Sequence, residues 1–208
     1  MPNVLVFDLD RTLASFPATT RLYYRLLLRP PRFRPAAIGI MNLILMHVFW
    51  FVPPAVRFQR RVVMSLFSRV DDRLWESEIE RLAKEVVEDY TVDLGKKVAE
   101  LSKDAEALYL VSHCPLPLAE RVRDLLGFDG CHGVEVVDYL RGAPGDVYSK
   151  VEVLEQLRSR HPGAKQWFFA DDLVDLGGLR SADVGTLVNG SRFSRWVCST
   201  FFPQLRIW

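Results

Sequence analysis

The sequence predicts an α/β fold with a parallel sheet, helices on the faces of that sheet, and an inserted α-helical cap. Residues 4–7, 107–111 and 166–170 are short runs that are apolar on both faces, as buried parallel strands are. Residues 118–126 and 151–160 carry Leu and Val at helical spacing, so strands and helices alternate. This alternation is typical of a parallel sheet covered by helices.

Composition sets the outer limits of the prediction. The chain has 208 residues and 49% hydrophobic content, enough for one catalytic core with an insertion. A net charge of +1 gives no general attraction to nucleic acid, which we exclude as a partner. Cys114, Cys131 and Cys198 form no CxxC pair and are predicted to be free thiols in a reducing compartment. The amino terminus has no signal-peptide pattern, so we expect it to be cytoplasmic.

The first strand is followed by two carboxylates, Asp8 and Asp10. At positions i and i+2 they point the same way if strand geometry continues, so both can flank one reacting group. One carboxylate could attack and form a covalent intermediate while the other moves protons. Taken alone, the segment could equally be an aspartate-rich turn at a strand end.

The third strand is followed by three acids, Asp171, Asp172 and Asp175. They would repel one another unless a cation or hydrogen bonds compensate, and Mg²⁺ prefers oxygen ligands of this kind. The alternative is a solvated loop in which Asp172 caps the following helix. Ligands of parallel sheets bind at the carboxyl ends of strands, so Asp8, Ser112 and Asp171 should converge there.

Ser112 and Lys150 complete the candidate site. A hydroxyl after a strand can bind a phosphate oxygen, and a lysine can balance the charge of an aspartate nucleophile beside a phosphate. Ser112 could instead cap a helix before Pro115, and Lys150 could be a solvated residue of a first helical turn.

These motifs resemble those of the haloacid dehalogenase-like (HAD) superfamily of phosphatases, in the phosphoserine-phosphatase-like branch. The DxDxT motif of that family is matched by Asp8, Asp10 and Thr12. The resemblance covers residues 4–13 and then about residue 107 to the carboxyl terminus. It implies a Rossmannoid core, with Asp8 as the nucleophile that becomes phosphorylated and Asp10 as the general acid/base.

The remaining site residues follow from the same resemblance. It implies phosphate binding by Ser112, and we add Thr12 and His113 to the substrate-binding residues. It makes Lys150 the catalytic lysine. It also implies a Mg²⁺ ion held by a defined set of residues: Asp8, the backbone carbonyl of Asp10, Asp171 and, in support, Asp175.

The sequence departs from the family pattern at several positions. Arg11 replaces the usual Gly between Asp10 and Thr12, and His113-Cys114 follow Ser112 where small residues are commoner. His113 and Cys114 could suggest a metal or thiol site, but we interpret them as packing or loop residues. In the fourth motif Ala170 and Asp172 replace Gly and Ser. None of these changes removes a reacting group, and the retained Asp10 argues against the dehalogenases of this superfamily.

The insertion is predicted to be the cap, over residues 15–105, with residues 1–14 and 106–208 forming the catalytic core. Residues 36–52 contain no formal charge, and residues 36–56 are predicted to interact with a membrane. Residues 74–101 are charged, have a helical period and are interpreted as the solvated part of the cap. The arginines that flank the apolar block are Arg21, Arg25, Arg29, Arg32, Arg34, Arg57, Arg60 and Arg61.

A single membrane crossing is excluded, because Asp8 and Asp171 would lie on opposite sides of the bilayer. An interfacial helix or re-entrant hairpin at the cytoplasmic face remains, with burial against the core or a dimer partner as the alternative. We therefore predict a Mg²⁺-dependent phosphatase, peripheral at the inner face of the membrane, acting on a lipid phosphate such as phosphatidylglycerophosphate or a prenyl phosphate. The alternatives are a soluble small-metabolite phosphatase, a phosphotransferase, or a non-catalytic membrane-binding module.

Overall fold

The six strands of the described residues form one parallel sheet in the order β3-β2-β1-β4-β5-β6. The structure is a computed structural model that describes residues 2–28, 72–135 and 149–208. The strands are β1 (Asn3–Phe7), β2 (Ala105–Pro115), β3 (Gly130–Val134), β4 (Lys165–Ala170), β5 (Val184–Leu187) and β6 (Arg206–Ile207).

Helices cover this sheet, and the predicted α/β class is confirmed. Short 3₁₀ turns at Ser102–Asp104 and Leu173–Asp175 join neighbouring elements. The helices are α1 (Ala18–Leu28), α2 (Asp72–Asp93), α3 (Gly95–Leu101), α4 (Leu116–Leu126), α5 (Lys150–Arg160), α6 (Leu176–Ser181) and α7 (Arg192–Phe201).

The central strand β1 is apolar on both sides because each side faces a different hydrophobic cluster. Leu5 and Phe7 belong to one cluster, and Val4 and Val6 belong to the other. Successive side chains of a strand point to opposite faces, so a two-sided apolar run indicates a strand buried between two layers.

The helices α1 and α2 lie in the predicted insertion, yet their apolar faces contribute to a buried cluster of the core. Leu22 of α1 and Leu82 of α2 belong to the same buried cluster as Leu5 and Phe7. Residues 74–101 are therefore not simply a solvated part of a cap, and Glu78 is itself buried. The helical prediction is confirmed, with a break at Leu94 between α2 and α3. The boundary between core and cap stays a prediction.

The strand β3 is an addition to the three predicted strands, and two of its residues are glycines in close contact with neighbouring residues. A Cβ atom on Gly130 would lie 2.7 Å from Cε1 of Tyr109, and one on Gly133 would lie 2.6 Å from Cα of Leu116. These glycines therefore let the strand approach its neighbours closely, a role that glycine has in strand interiors.

The apolar block at residues 36–52, with the predicted membrane segment 36–56, lies outside the described residues. Among the helices that are described, none combines the length and the apolar character needed to cross a bilayer.

Candidate active site

The strand register brings the predicted motifs to one edge of the sheet. Phe7 of β1 pairs with Leu110 of β2 on one side and with Phe169 of β4 on the other. Asp8 follows Phe7 directly, and Asp171 follows the last residue of β4, Ala170, so both emerge at the same end of adjacent strands. The backbone N–H of Asp8 also donates to the carbonyl of Phe169 at 2.9 Å.

A tight turn over Leu9–Leu13 positions Asp10. The N–H of Leu13 donates to the carbonyl of Asp8 at 3.3 Å, which folds the chain back on itself. The Oδ1 atom of Asp10 then accepts a hydrogen bond of 2.9 Å from the N–H of Thr19, at the start of α1. The helix α1 therefore orients the second carboxylate of the motif.

Arg11 occupies a left-handed backbone conformation, with φ of 54°. Glycine adopts this region freely, whereas a side chain there costs roughly 1–2 kcal/mol. The carbonyl of Arg11 accepts a hydrogen bond of 3.2 Å from Nδ2 of Asn189. The departure from the family's Gly thus keeps the backbone shape, and Asn189 helps to hold it.

Three carboxylates form a cluster at this edge. One oxygen from each of Asp8, Asp171 and Asp175 can be chosen so that all three lie within 4.8 Å of one another. Asp8 and Asp175 are buried, and Asp171 is partly exposed. Among the described residues, no other group of acidic, His or Cys side chains has the spacing of a metal site.

Lys150 joins two members of the cluster. Its Nζ atom lies 2.9 Å from Oδ1 of Asp8 and 2.8 Å from each carboxylate oxygen of Asp175. Lys150 is only 7% exposed, so the alternative of a solvated first-turn lysine is wrong. Burial alone would lower the pKa of Lys150, but the charges of Asp8 and Asp175 outweigh it and raise that pKa above its usual range.

Two acids of the cluster, Asp171 and Asp175, have raised pKa values. Burial, followed by the charge of Asp8, raises the pKa of Asp171 to about 7 and that of Asp175 to about 6. Lys150 contacts two of the three carboxylates, so its single positive charge does not balance the cluster when all three are ionised. An oxygen-lined site with excess negative charge fits a hard divalent cation.

Asp10 lies in a different environment from the cluster. Burial raises its pKa to about 6, with a further contribution from the charge of Asp8, while the Thr19 N–H opposes the shift. A carboxyl group with this pKa can both hold and release a proton near neutral pH.

The predicted phosphate-binding residues lie in the turn after β1, which holds Thr12, and in the neighbouring strand β2, which holds Ser112 and His113. Ser112 is buried inside β2, so the alternative that it caps a helix is wrong. Thr12 is buried, and its hydroxyl has no hydrogen-bond partner within the part of the chain that the structure describes. His113 is partly exposed in the same strand, whereas Cys114 is fully buried in the core. Burial, followed by the charge of Asp10, raises the pKa of the Cys114 thiol, which fits packing better than thiol chemistry.

Some contributions were not identified from the sequence. Thr19 and Asn189 hold the first motif through the bonds described above, and Asn189 also has a positive φ of 53°. The Asn-Gly pair after an apolar run was a usable signal for a turn at Asn189.

Two smaller predictions are confirmed. Asp172 caps the short 3₁₀ turn Leu173–Asp175, and its side chain accepts a hydrogen bond of 2.6 Å from the N–H of Leu173. Cys114, Cys131 and Cys198 are all free thiols.

A family model for haloacid dehalogenase-like hydrolases matches residues 5–180. The chain belongs to the haloacid dehalogenase-like hydrolase family. This membership confirms the predicted superfamily and the prediction of an enzyme, a hydrolase of that family. No match was found among curated proteins.

Solved structures share the HAD fold at low sequence identity. A protein described as of unknown function from Bordetella pertussis Tohama I is 16% identical, with a TM-score of 0.76 over 100% of this chain and 98% of its own. A phosphoserine phosphatase in its apo form is 15% identical, with a TM-score of 0.62 over 94% of this chain and 90% of its own. A probable phosphoserine phosphatase from Vibrio cholerae is 17% identical, with a TM-score of 0.54 over 93% of this chain and 58% of its own. These likenesses confirm the HAD-like Rossmannoid architecture.

Proposed function

We propose that this HAD-family phosphatase hydrolyses a phosphate monoester in two steps, through an aspartyl-phosphate on Asp8. The observation that carries the proposal is the joint contact of Lys150 with Asp8 and Asp175, within a cluster that also contains Asp171. A buried aspartate held by a lysine at a strand end is oriented as a nucleophile, and a structural turn alone would not require a buried lysine.

In the first step a carboxylate oxygen of Asp8 attacks phosphorus. A bond forms between that oxygen and phosphorus, and the bond from phosphorus to the alcohol oxygen breaks. Asp10 gives its proton to the departing alcohol oxygen, so the alcohol leaves neutral. The bond between Asp10 and the Thr19 N–H supports this role, because it fixes the second carboxylate.

In the second step water attacks the aspartyl-phosphate. Asp10, now ionised, takes a proton from the water as its oxygen bonds to phosphorus. The bond between phosphorus and the Asp8 oxygen then breaks, which releases inorganic phosphate and restores both carboxyl groups to their starting states. Lys150 keeps the Asp8 carboxylate oriented through both steps, and the hydroxyls of Thr12 and Ser112 are assigned to the phosphoryl oxygens, with His113 beside them.

A Mg²⁺ ion is proposed at the three-carboxylate cluster, held by Asp8 and Asp171 with Asp175 in support. The backbone carbonyl of Asp10 is assigned as a further ligand. When bound, the ion would supply positive charge to offset the negative charge of the phosphoryl group.

We propose a lipid phosphate, such as phosphatidylglycerophosphate or a prenyl phosphate, as the substrate class. The support is the uncharged block at residues 36–52, between clusters of arginine, in the insertion that precedes the second motif. A segment of this composition suits the cytoplasmic face of a membrane, where the apolar part of the substrate need not be extracted.

A soluble phosphate ester related to phosphoserine is the second candidate. It is favoured by the phosphoserine phosphatases among the solved structures of similar fold. Transfer of the phosphoryl group to an acceptor other than water would use the same intermediate, and product analysis separates the two reactions.

A phosphate-release panel tests the proposal. Purified protein is assayed with Mg²⁺ or with EDTA against phosphatidylglycerophosphate, a prenyl phosphate, phosphoserine and a generic aryl phosphate. We expect Mg²⁺-dependent release that Asp8→Asn abolishes. Release from every substrate by the Asp8→Asn variant at the wild-type rate would disprove the mechanism, while a preference for phosphoserine would replace the lipid substrate only.

A further inference from the structure

The helix α7 turns its apolar stripe outward. Phe193, Trp196 and Phe201 are 64%, 56% and 63% exposed, at positions i, i+3 and i+8 of the helix. Val197 and Thr200 fill the stripe between them at i+4 and i+7. A helix on a protein surface normally directs such a stripe into the core, so this orientation calls for an external partner.

A different face of α7, beside the stripe, packs against the protein. Ser194 and Cys198 are buried, and Oγ of Ser191 accepts a hydrogen bond of 3.0 Å from the N–H of Ser194. The aromatic rings contact one another instead, with centroids 6.1 Å apart for Phe193 and Trp196 and 6.0 Å apart for Trp196 and Phe201. The outward stripe is therefore one continuous aromatic surface on an anchored helix.

The charged side chains that α7 itself carries are all positive. Residues 184–208 contain Arg192, Arg195 and Arg206 and no acidic residue. Arg192 and Arg195 are exposed within α7, and Arg195 also donates to the carbonyls of Gly190 and Trp208. An aromatic stripe with arginines beside it matches the headgroup region of an anionic bilayer.

The surface also adjoins the candidate active site. The hydroxyl of Ser194 donates to Oδ1 of Asp172 at 3.4 Å, so the first turn of α7 contacts the loop that carries Asp171. Val174 in that loop is 77% exposed. A partner bound on the stripe would therefore lie next to the entrance to the carboxylate cluster.

We propose that the aromatic stripe of α7 docks on the surface of an anionic lipid bilayer. A second copy of the chain fits less well, because a symmetric contact would bring arginines of like charge together. The exposed aromatic area is also small: three side chains exposed by about three-fifths present roughly 400 Å². A stable protein interface needs about 800 Å² from each partner, whereas interfacial anchoring can use a few inserted aromatic side chains.

This inference goes beyond the proposed chemistry and does not rest on it, because binding is measured without turnover. The experiment is co-sedimentation of the full chain with vesicles of phosphatidylcholine, with and without phosphatidylglycerol, at low and high salt. The test variant carries Phe193→Ser, Trp196→Ser and Phe201→Ser together, and Arg192→Glu tests the charge. Leu125→Ser on α4 is the matched control, because Leu125 is another exposed apolar side chain.

We expect the wild-type chain and Leu125→Ser to bind vesicles that contain phosphatidylglycerol. The triple variant should bind at least tenfold more weakly, and Arg192→Glu should weaken binding mainly at low salt. All variants should hydrolyse a water-soluble aryl phosphate at the wild-type rate, which separates loss of docking from loss of catalysis. Equal vesicle binding by the wild type and the triple variant would overturn the inference. The inference would also be overturned if the wild-type chain did not bind vesicles but formed a dimer that the triple variant cannot form.

Discussion

The ammonium group of Lys150 lies 2.9 Å from a carboxylate oxygen of Asp8, and both side chains are buried. The two residues are far apart in the sequence, so this ion pair depends on the whole α/β core. It also balances part of the charge of a cluster that contains Asp175 and Asp171. The charges of this cluster and the backbone conformation of Arg11 both have consequences that can be measured.

Removal of the lysine should leave buried carboxylates without their counter-charge. We expect Lys150→Met to lower the free energy of unfolding of the metal-free protein by roughly 3 kcal/mol, the scale for breaking a buried ion pair. Phosphate release should fall by at least about 100-fold, because Asp8 loses its orientation. Chemical denaturation and a phosphate assay measure the two effects. Lys103→Met is the control, since Lys103 is exposed, and an equally stable Lys150→Met would contradict the prediction.

Replacement of the nucleophile should stop turnover and leave the fold intact. Asp8→Asn keeps the size of the side chain and removes its charge, so we expect phosphate release to fall by about 10³-fold or more. Wild-type protein quenched in acid during turnover should carry one labelled phosphoryl group, and Asp8→Asn should carry none. Label on the Asp8→Asn protein at the wild-type level would show that another residue is the nucleophile.

The acid cluster should make stability depend on pH in a way that Mg²⁺ reverses. The pKa of Asp171 is raised to about 7 and that of Asp175 to about 6, above their values in an unfolded chain. The folded state therefore binds more protons than the unfolded state between roughly pH 5 and 8. For this reason the free energy of unfolding should decrease as pH rises through that range. Mg²⁺ requires the ionised carboxylates and should offset the loss.

Thermal unfolding with EDTA and with Mg²⁺ across that window tests this linkage. The increase in Tm caused by Mg²⁺ should grow as pH rises, because more carboxylates are ionised and available to the ion. Asp171→Asn should remove most of that growth. An increase in Tm that is independent of pH, or is unchanged in Asp171→Asn, would count against metal binding at the cluster.

The left-handed backbone of Arg11 gives a prediction about strain. Arg11→Gly should be more stable than Arg11→Ala by about 1 kcal/mol, because glycine accepts a φ of 54° and alanine does not. Both variants lose the same charge, so their difference reports the backbone alone. Chemical denaturation of both variants measures it.

Arg81 provides the matched comparison of opposite sign. It lies within the helix α2 with an exposed side chain, so Arg81→Ala should be more stable than Arg81→Gly by about 1 kcal/mol. A preference for alanine at both positions would show that the conformation of Arg11 is not strained.

The convergence of Asp8, Ser112 and Asp171 was predictable from the sequence because it follows from chain direction: parallel strands end at one edge. The strands β1, β2 and β4 were predictable for a different reason: a strand that is buried on both faces is apolar throughout, and such runs are visible in the sequence. The burial of Lys150 was not predictable, because it depends on how α5 packs against the sheet. A short motif contains no such information.

Two further features depend on tertiary contacts. The strand β3 was missed because Gly130 and Gly133 weaken the local strand signal. The need for glycine at these positions is visible only in the folded protein, where Tyr109 and Leu116 come close to them. The stripe of α7 has the same spacing as a core-facing helix, so its periodicity indicates a helix without indicating which side faces the solvent.

The central position of β1 has a consequence for how the protein is made. Leu5, near the start of the chain, pairs with Leu108 on one side and with Trp167 on the other. During synthesis the first strand leaves the ribosome long before either neighbour exists, and contacts of such high sequence separation form slowly. An apolar strand waiting for its partners is prone to aggregation, so production of the chain should benefit from chaperones that shield its amino-terminal segment.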